Sequence, residues 1–160
     1  MIIGRLRSFI ERLAKHERSP KKLAMTFCLG IYIGFSPFIG FHTAMSFLFG
    51  WLFTLNVATL FIISHLVNNP WTMVPVYTVD HFFGKWLFNV FNIDGMQWNP
   101  VWFESFNLFL KQHTGISGLS LSAFLVGGHL LGIAISVMLY PFIKRVFTTH
   151  LSKKMLVNRQ

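Results

Sequence analysis

Apolar residues run almost unbroken from Leu23 to Val79, a stretch that holds no Lys, Arg, Asp or Glu. Two proline-containing turns cut it, Phe35-Ser36-Pro37-Phe38-Ile39-Gly40-Phe41-His42 and Val67-Asn68-Asn69-Pro70-Trp71-Thr72. A charge at the centre of a bilayer costs roughly 3 kcal/mol even on lenient insertion scales, so a charge-free run this long belongs in a membrane. The pieces between the breaks are too short to cross. As a helix, Leu23–Phe35 is roughly 20 Å long against a hydrocarbon core of about 30 Å. The pattern predicts half-helices that meet inside the bilayer.

Ahead of this stretch, Ile2 to Lys15 reads as an amphipathic helix. Ile2, Ile3, Leu6, Phe9, Ile10 and Leu13 share one face, with Arg5, Arg7, Ser8, Glu11, Arg12 and Lys15 on the other. A basic face opposite an aliphatic and aromatic one suits a helix lying in the membrane interface, the alternative being a helix docked on a cytoplasmic partner. No small-residue cleavage site follows a short apolar run, so no secretory leader is expected. Ser19-Pro20 restarts the helix, with Ser as N-cap and Pro at the first helical position.

Predicted helices then cover Pro20 to about Phe35, Thr43–Thr54, Val57–Val67 after Asn56, and Pro70–Asn92, the last kinked at Pro75. A polar turn with Asp94 and Gly95 leads to a short aromatic helix, Val101–Lys111, with Trp98 and Trp102 as interfacial anchors. Gly115, Ser117 and Gly118 form the next loop, and Leu119–Phe142 is long enough to span. That last helix carries Gly128-x-x-x-Gly132-x-x-x-Ser136, a small-residue stripe that admits a close neighbour and is a candidate homodimer face. No segment alternates apolar and polar residues as a strand would.

The predicted fold is therefore an all-α integral membrane helical bundle with broken or re-entrant helices and an N-terminal amphipathic interfacial helix. Residues 1–18 form the interfacial helix, 19–143 the membrane domain and 144–160 a basic tail. Two full crossings are expected, by Pro70–Asn92 and Leu119–Phe142.

Composition sharpens the class. Of 160 residues, 53% are hydrophobic and 12% charged, half the charged share of an average soluble protein at about 25%. Nineteen Phe and five Trp exceed what a soluble core of this size needs. The net charge of +9 sits at the ends. Seven basic residues from Arg5 to Lys22 precede the apolar run, and Lys144, Arg145, Lys153, Lys154 and Arg159 follow the last one. Only Lys85 and Lys111 fall between. Basic ends around an apolar middle place both termini in the cytoplasm under the positive-inside rule, against anionic headgroups of the bacterial inner membrane. Nucleic acid is not an expected partner, because no polar scaffold presents the charge. The single Cys28 lies in an apolar segment and reads as a small buried hydrophobe.

Candidate chemistry gathers at the two breaks. Isolated helix ends inside a bilayer are tolerated only where buried in protein or lining a wet cavity, and half-helix N-termini attract anions. The breaks would bring together Ser36, Gly40, His42, Thr43, Asn68, Asn69 and Thr72, either as a cradle for an anionic headgroup or solute, or simply as caps around structural kinks. Asp80 is the only acidic residue between Glu17 and Asp94 and is the candidate for proton coupling, unless it sits solvated beside Lys85 at the outer interface. His42, His65 and His129 with Asp80 lack the i, i+3 or i+4 spacing of a helical metal motif, so no metal and no cofactor are expected. No Ser-His-Asp order, phosphate loop or carboxylate pair is present.

The ordered run Ser19-Pro20, Gly30-x-x-x-Gly34-Phe35-Ser36-Pro37-Phe38-x-Gly40-x-His42-Thr43, Asn56 and Asn68-Asn69-Pro70-x-Thr72-x-x-Pro75-x-Tyr77 resembles the bacterial membrane-protein family catalogued as domain of unknown function 2062. The similarity covers roughly Ser19 to Phe142. Members are small integral membrane proteins, and related domains occur fused to glycosyltransferases that use lipid-linked sugars. The resemblance implies a link to polyprenyl-phosphate or envelope-lipid handling. It marks His42, Asn68, Asn69, Pro70 and Thr72 as motif positions without assigning them roles.

Three functions remain open on the sequence. The first is a transporter- or scramblase-like module that binds a phospholipid or polyprenyl phosphate at the broken tips. The second is a non-catalytic anchor or assembly subunit for an envelope-biosynthesis enzyme. The third is a lipid-modifying enzyme with His42 and Asp80 as acid–base groups.

Overall fold

The computed structural model describes residues 19–38, 40–93, 98–114 and 118–157. The amphipathic segment Ile2 to Lys15 and the Asp94-Gly95 turn lie outside them. Among the described residues there are six helices and no strand: α1 Pro20–Phe35, α2 His42–Leu52, α3 Val57–Val67, α4 Met73–Val90, α5 Val101–Thr114 and α6 Leu121–Val157.

Local chemistry explains most of the boundaries. The Ser19 hydroxyl accepts from Lys22 N at 3.4 Å with Pro20 at the first position of α1. Ser36, which precedes Pro37, has turned to extended backbone at ψ 129 and ends the helix. Asn56 Oδ1 accepts from both Thr59 N, at 2.9 Å, and Thr59 Oγ1, at 3.0 Å, which starts α3.

Two expectations are corrected. α4 begins at Met73 rather than Pro70, because Asn69 and Thr72 organise the turn first. Pro75 then falls in the first helical turn, where a missing N–H removes no intrahelical bond, so the expected kink has no cause there. The last helix does not stop at Phe142. It runs with Pro141 inside it through Lys144 and Arg145 to Val157.

Glycines set the packing. Those of α1 face α3: a β-carbon on Gly30 would lie 2.8 Å from Ile63 Cβ, and one on Gly34 would lie 2.6 Å from Val67 Cβ. These pairs make α1 and α3 parallel. α4 and α6 cross still more closely and antiparallel, since β-carbons on Gly84 and Gly127 would overlap the carbonyls of Ala123 and Asp80. The Gly128/Gly132/Ser136 stripe also lies at a helix contact, but the helix it receives is α1 of the same chain. β-Carbons on Gly128 and Gly132 would meet Phe35 O at 2.8 Å and Phe35 Cβ at 3.0 Å, and Ser136 Oγ donates to Cys28 O at 2.8 Å. That surface is not open to a second copy. Ser136→Ala is expected to lower stability by about 1 kcal/mol, read as a reduced melting temperature in detergent.

At one end, Leu23 and Phe27 of α1 pack on Phe147 and Leu151 of α6, which gathers Lys21, Lys22, Lys144 and Arg145 there. α1 runs from that end to the level of Gly128, about 10 Å short of the start of α6 at 1.5 Å per residue.

Polar side chains share the interior with an apolar core, and many large apolar side chains lie on the surface. Thr26, Ser36, Ser46, Thr59, Ser64, Asp80 and Ser136 are buried, while Trp71, Trp51 and Met138 are 90%, 78% and 76% exposed. Most of the buried hydroxyls bond their own helix, as Thr26 Oγ1 does to Lys22 O and Ser46 Oγ to His42 O, both at 2.8 Å.

Among the described residues, one helix is long and apolar enough to cross a membrane, over Leu121–Thr149. α4, expected as a second crossing, has sufficient length at 18 residues but carries Asp80, His81 and Lys85, and it is not apolar enough to join it.

Candidate functional site

The two breaks meet. His42, at the first position of α2, turns its ring back over the α1 terminus, and Nε2 lies 3.0 Å from Ser36 O. Only an Nε2–H can satisfy a carbonyl, so this contact calls for a proton on Nε2. Across the fold, Asn68 ends α3. Its Nδ2 donates to the Tyr77 hydroxyl at 2.7 Å and lies 3.5 Å from His42 Nε2. The second approach sets two N–H groups side by side, because Nε2 already carries its proton toward Ser36. It is a close polar contact between the two breaks, with the Nε2 proton held by the Ser36 carbonyl. The start of α2 adds to this: its N-cap, Phe41, makes no side-chain capping bond, and Gly40 before it takes φ +83 with open space around its α-carbon.

The other predicted residues divide. Ser36 is fully buried beneath the tip, with Oγ 3.6 Å from Met45 Sδ, whereas Gly40 and Thr43 are exposed at its rim. Asn69 and Thr72 are spent on their own turn. Asn69 Oδ1 accepts from Trp71 N at 2.9 Å and Thr72 N at 3.1 Å, its Nδ2 donates to Leu66 O at 3.1 Å, and Thr72 Oγ1 donates to Val67 O at 2.7 Å. For these two, the capping alternative describes the side chains fully.

Tyr77 joins the site although the sequence marked it only as a motif position. Nine residues separate it from Asn68, and only the turn at Asn69–Thr72 brings the pair together. A second polar pair lies between α1 and α6, where Tyr32 Oη is 3.2 Å from His129 Nδ1 and the His129 ring packs on Phe38 at 5.1 Å.

Asp80 is 0% exposed, so it is not solvated at an interface, and neither carboxylate oxygen has a hydrogen-bond partner. Lys85 is engaged elsewhere, with Nζ donating to Gly118 O at 2.8 Å. No hydrogen bond joins Asp80 to His42. The histidines considered as ligands bond separately, His42 to Ser36 O, His129 to Tyr32 and His65 to Phe61 O. Among the described residues, no three His, Cys, Asp or Glu side chains gather as a metal site.

An open cavity of about 370 Å³ lies away from the tips, lined by Asn99, Glu104, Asn107 and Lys111. Its amides serve the start of α6: Asn99 Oδ1 accepts from Leu121 N at 2.7 Å, and Asn107 Nδ2 donates to Leu119 O at 2.7 Å.

These features define a class: an all-helical bundle built on one helix of membrane-spanning length and apolarity, with a polar centre where two helix breaks touch. The chain belongs to the family described as an uncharacterized protein conserved in bacteria, domain of unknown function 2062 (DUF2062), matched over residues 4–155. No curated protein and no solved structure matches it.

Proposed function

We propose that this protein is a multi-pass module of the bacterial inner membrane, transporter-like or scramblase-like, that binds an anionic headgroup at the meeting point of its broken helices. The observation that carries the reading is the approach of His42 and Asn68. They lie 26 residues apart on α2 and α3, and Asn68 Nδ2 comes within 3.5 Å of His42 Nε2 beside the start of α2, whose N-cap makes no side-chain bond. Interrupted short helices whose ends meet at a polar centre are the recurrent geometry of membrane transport sites. The tip lies at the level of Gly128, inside the length of the Leu121–Thr149 span. The basic cluster of Lys21, Lys22, Lys144 and Arg145 marks the cytoplasmic end, where it attracts anionic lipid. The exposed aromatic and aliphatic belt faces acyl chains.

The test is lipid movement in proteoliposomes. With the purified protein present, fluorescent phosphatidylglycerol in the inner leaflet is expected to become accessible to an impermeant quencher. His42→Ala and Asn68→Ala are each expected to slow that exchange at least about tenfold, equivalent to ~1.4 kcal/mol. Rates unchanged in both variants would remove the tips as the binding site. Co-purification of a stoichiometric enzyme, with no lipid movement by the protein alone, would favour the assembly-subunit function instead.

A further inference from the structure

A groove of about 230 Å³ opens between α1 and α6, away from the helix breaks. Met25, Cys28 and Leu29 line it from α1, Val137 and Tyr140 from α6, and Phe53 from just past the end of α2. Its walls are apolar apart from the Tyr140 phenol and Ser136, and the Ser136 hydroxyl is already spent on Cys28 O at 2.8 Å. Cavities that enclose a whole small ligand run to roughly 300–1,000 Å³. This smaller, open-sided space suits one extended apolar chain lying along it.

The helices give the groove a direction. Lys22, Met25 and Leu29 stand at i, i+3 and i+7 on α1, and Val137, Tyr140 and Lys144 repeat that spacing on α6, so each trio shares one face of its helix. The two helices run antiparallel: Phe35 meets Gly128, Cys28 meets Ser136, and Leu23 packs with Phe147 and Leu151. Both lysines therefore lie at the same end, each about 10 Å along its axis from Leu29 or Val137. Lys22 Nζ donates to Thr54 Oγ1 at 3.4 Å, and Thr54 adjoins Phe53 in the wall, so an ammonium is held at that end of the groove. Among the described residues the acids are Asp80 and Glu104. Asp80 lies at the level of Gly128 and Glu104 lines the cavity near the start of α6, so neither neutralises this end.

An apolar slot that ends in two lysines is complementary to a molecule with a fatty chain and an anionic head. We propose that the α1–α6 groove holds one anionic phospholipid of the cytoplasmic leaflet, with an acyl chain along Met25, Leu29, Val137 and Tyr140 and its phosphate between Lys22 and Lys144. This second lipid site goes beyond the headgroup site at the tips. It rests only on the membrane location in that reading, and its occupant stays bound rather than passing through.

The test is lipid retention by the full chain, purified in detergent after equilibration with vesicles of phosphatidylglycerol and phosphatidylcholine and weighed by native mass spectrometry. One phosphatidylglycerol per chain is expected to remain, in preference to phosphatidylcholine. Lys22→Gln is expected to weaken retention about fivefold. Val137→Trp, which fills the groove from a residue 66% exposed, should abolish it. Met138→Trp, on a neighbouring residue 76% exposed and outside the lining, should leave it intact. Phosphatidylglycerol carrying a mid-chain diazirine should label residues 25–29 and 136–140.

Retention unchanged in Val137→Trp, or labelling spread evenly over the apolar surface, would overturn the proposal. Equal retention of phosphatidylcholine, untouched by Lys22→Gln, would overturn the assignment of the phosphate to the lysines. A dimer that Val137→Trp dissociates would give the groove to a second copy and overturn the lipid. Retention abolished by His42→Ala but not by Val137→Trp would move the bound lipid to the tips and overturn this inference alone. A lipid retained in the groove by a protein that moves none would count against the transport reading alone.

Discussion

Gly127→Leu and Gly84→Leu are each expected to abolish a monodisperse folded protein, the largest effect of any single substitution considered. At these positions α4 and α6 meet backbone to backbone. A β-carbon on Gly84 would overlap the Ala123 carbonyl, and one on Gly127 would overlap the Asp80 carbonyl and approach Gly84 N to 2.7 Å. Overpacking against side chains typically costs about 1–3 kcal/mol, because rotamers and small shifts relieve it. Main chain on both sides offers no such relief, so the helices must separate. Size-exclusion chromatography and thermal melting in detergent provide the measurement. Gly40→Ala is the control. Its only penalty should be the left-handed φ of +83, about 1–2 kcal/mol, because nothing lies within 4 Å of its β-position. Equal behaviour of the Gly40 and Gly127 variants would show that α4 and α6 are not in this register.

Gly34→Ala should disable the proposed headgroup site from a distance, and a compensating change should restore it. A β-carbon at position 34 would sit 2.6 Å from Val67 Cβ and 3.1 Å from Ser64 O, driving the end of α3 away from α1. Asn68 follows Val67 directly, so the displacement carries its amide away from His42. Lipid exchange is expected to fall at least about tenfold. Moving the methyl across the contact, as Gly34→Ala with Val67→Gly, makes the room again at the cost of a helical glycine, about 1 kcal/mol. The double variant is therefore expected to recover most of the activity while melting lower than wild type. Failure of the swap to rescue would mean that position 34 acts other than through α3.

Several features were legible in the chain because their causes are local. The Ser19-Pro20 start, the Ser36-Pro37 stop and the Asn56 cap each depend on residues within one helical turn, so helix ends there match the expectation from sequence. The α4 start was misjudged for a related reason. Asn68-Asn69-Pro70 reads as a cap followed by a proline, yet Thr72 bonds Val67 O and holds the turn open for three more residues. Pro141 did not stop the last helix, which extends beyond the apolar run to Val157.

The division between chain and fold follows from the range of the forces involved. Charge-free stretches, prolines, capping side chains and basic ends are written one residue after another, and they alone determined an all-helical protein with interrupted apolar segments. Which surfaces touch depends on residues far apart in the chain. Only the tertiary structure decided that Gly128, Gly132 and Ser136 receive α1, that Asn68 reaches His42 and Tyr77 while Asn69 and Thr72 remain in their own turn, and that Asp80 is enclosed without a partner. A helical face has no fixed neighbour until close packing selects one, and here the absence of side chains at Gly84, Gly127 and Gly128 made that selection.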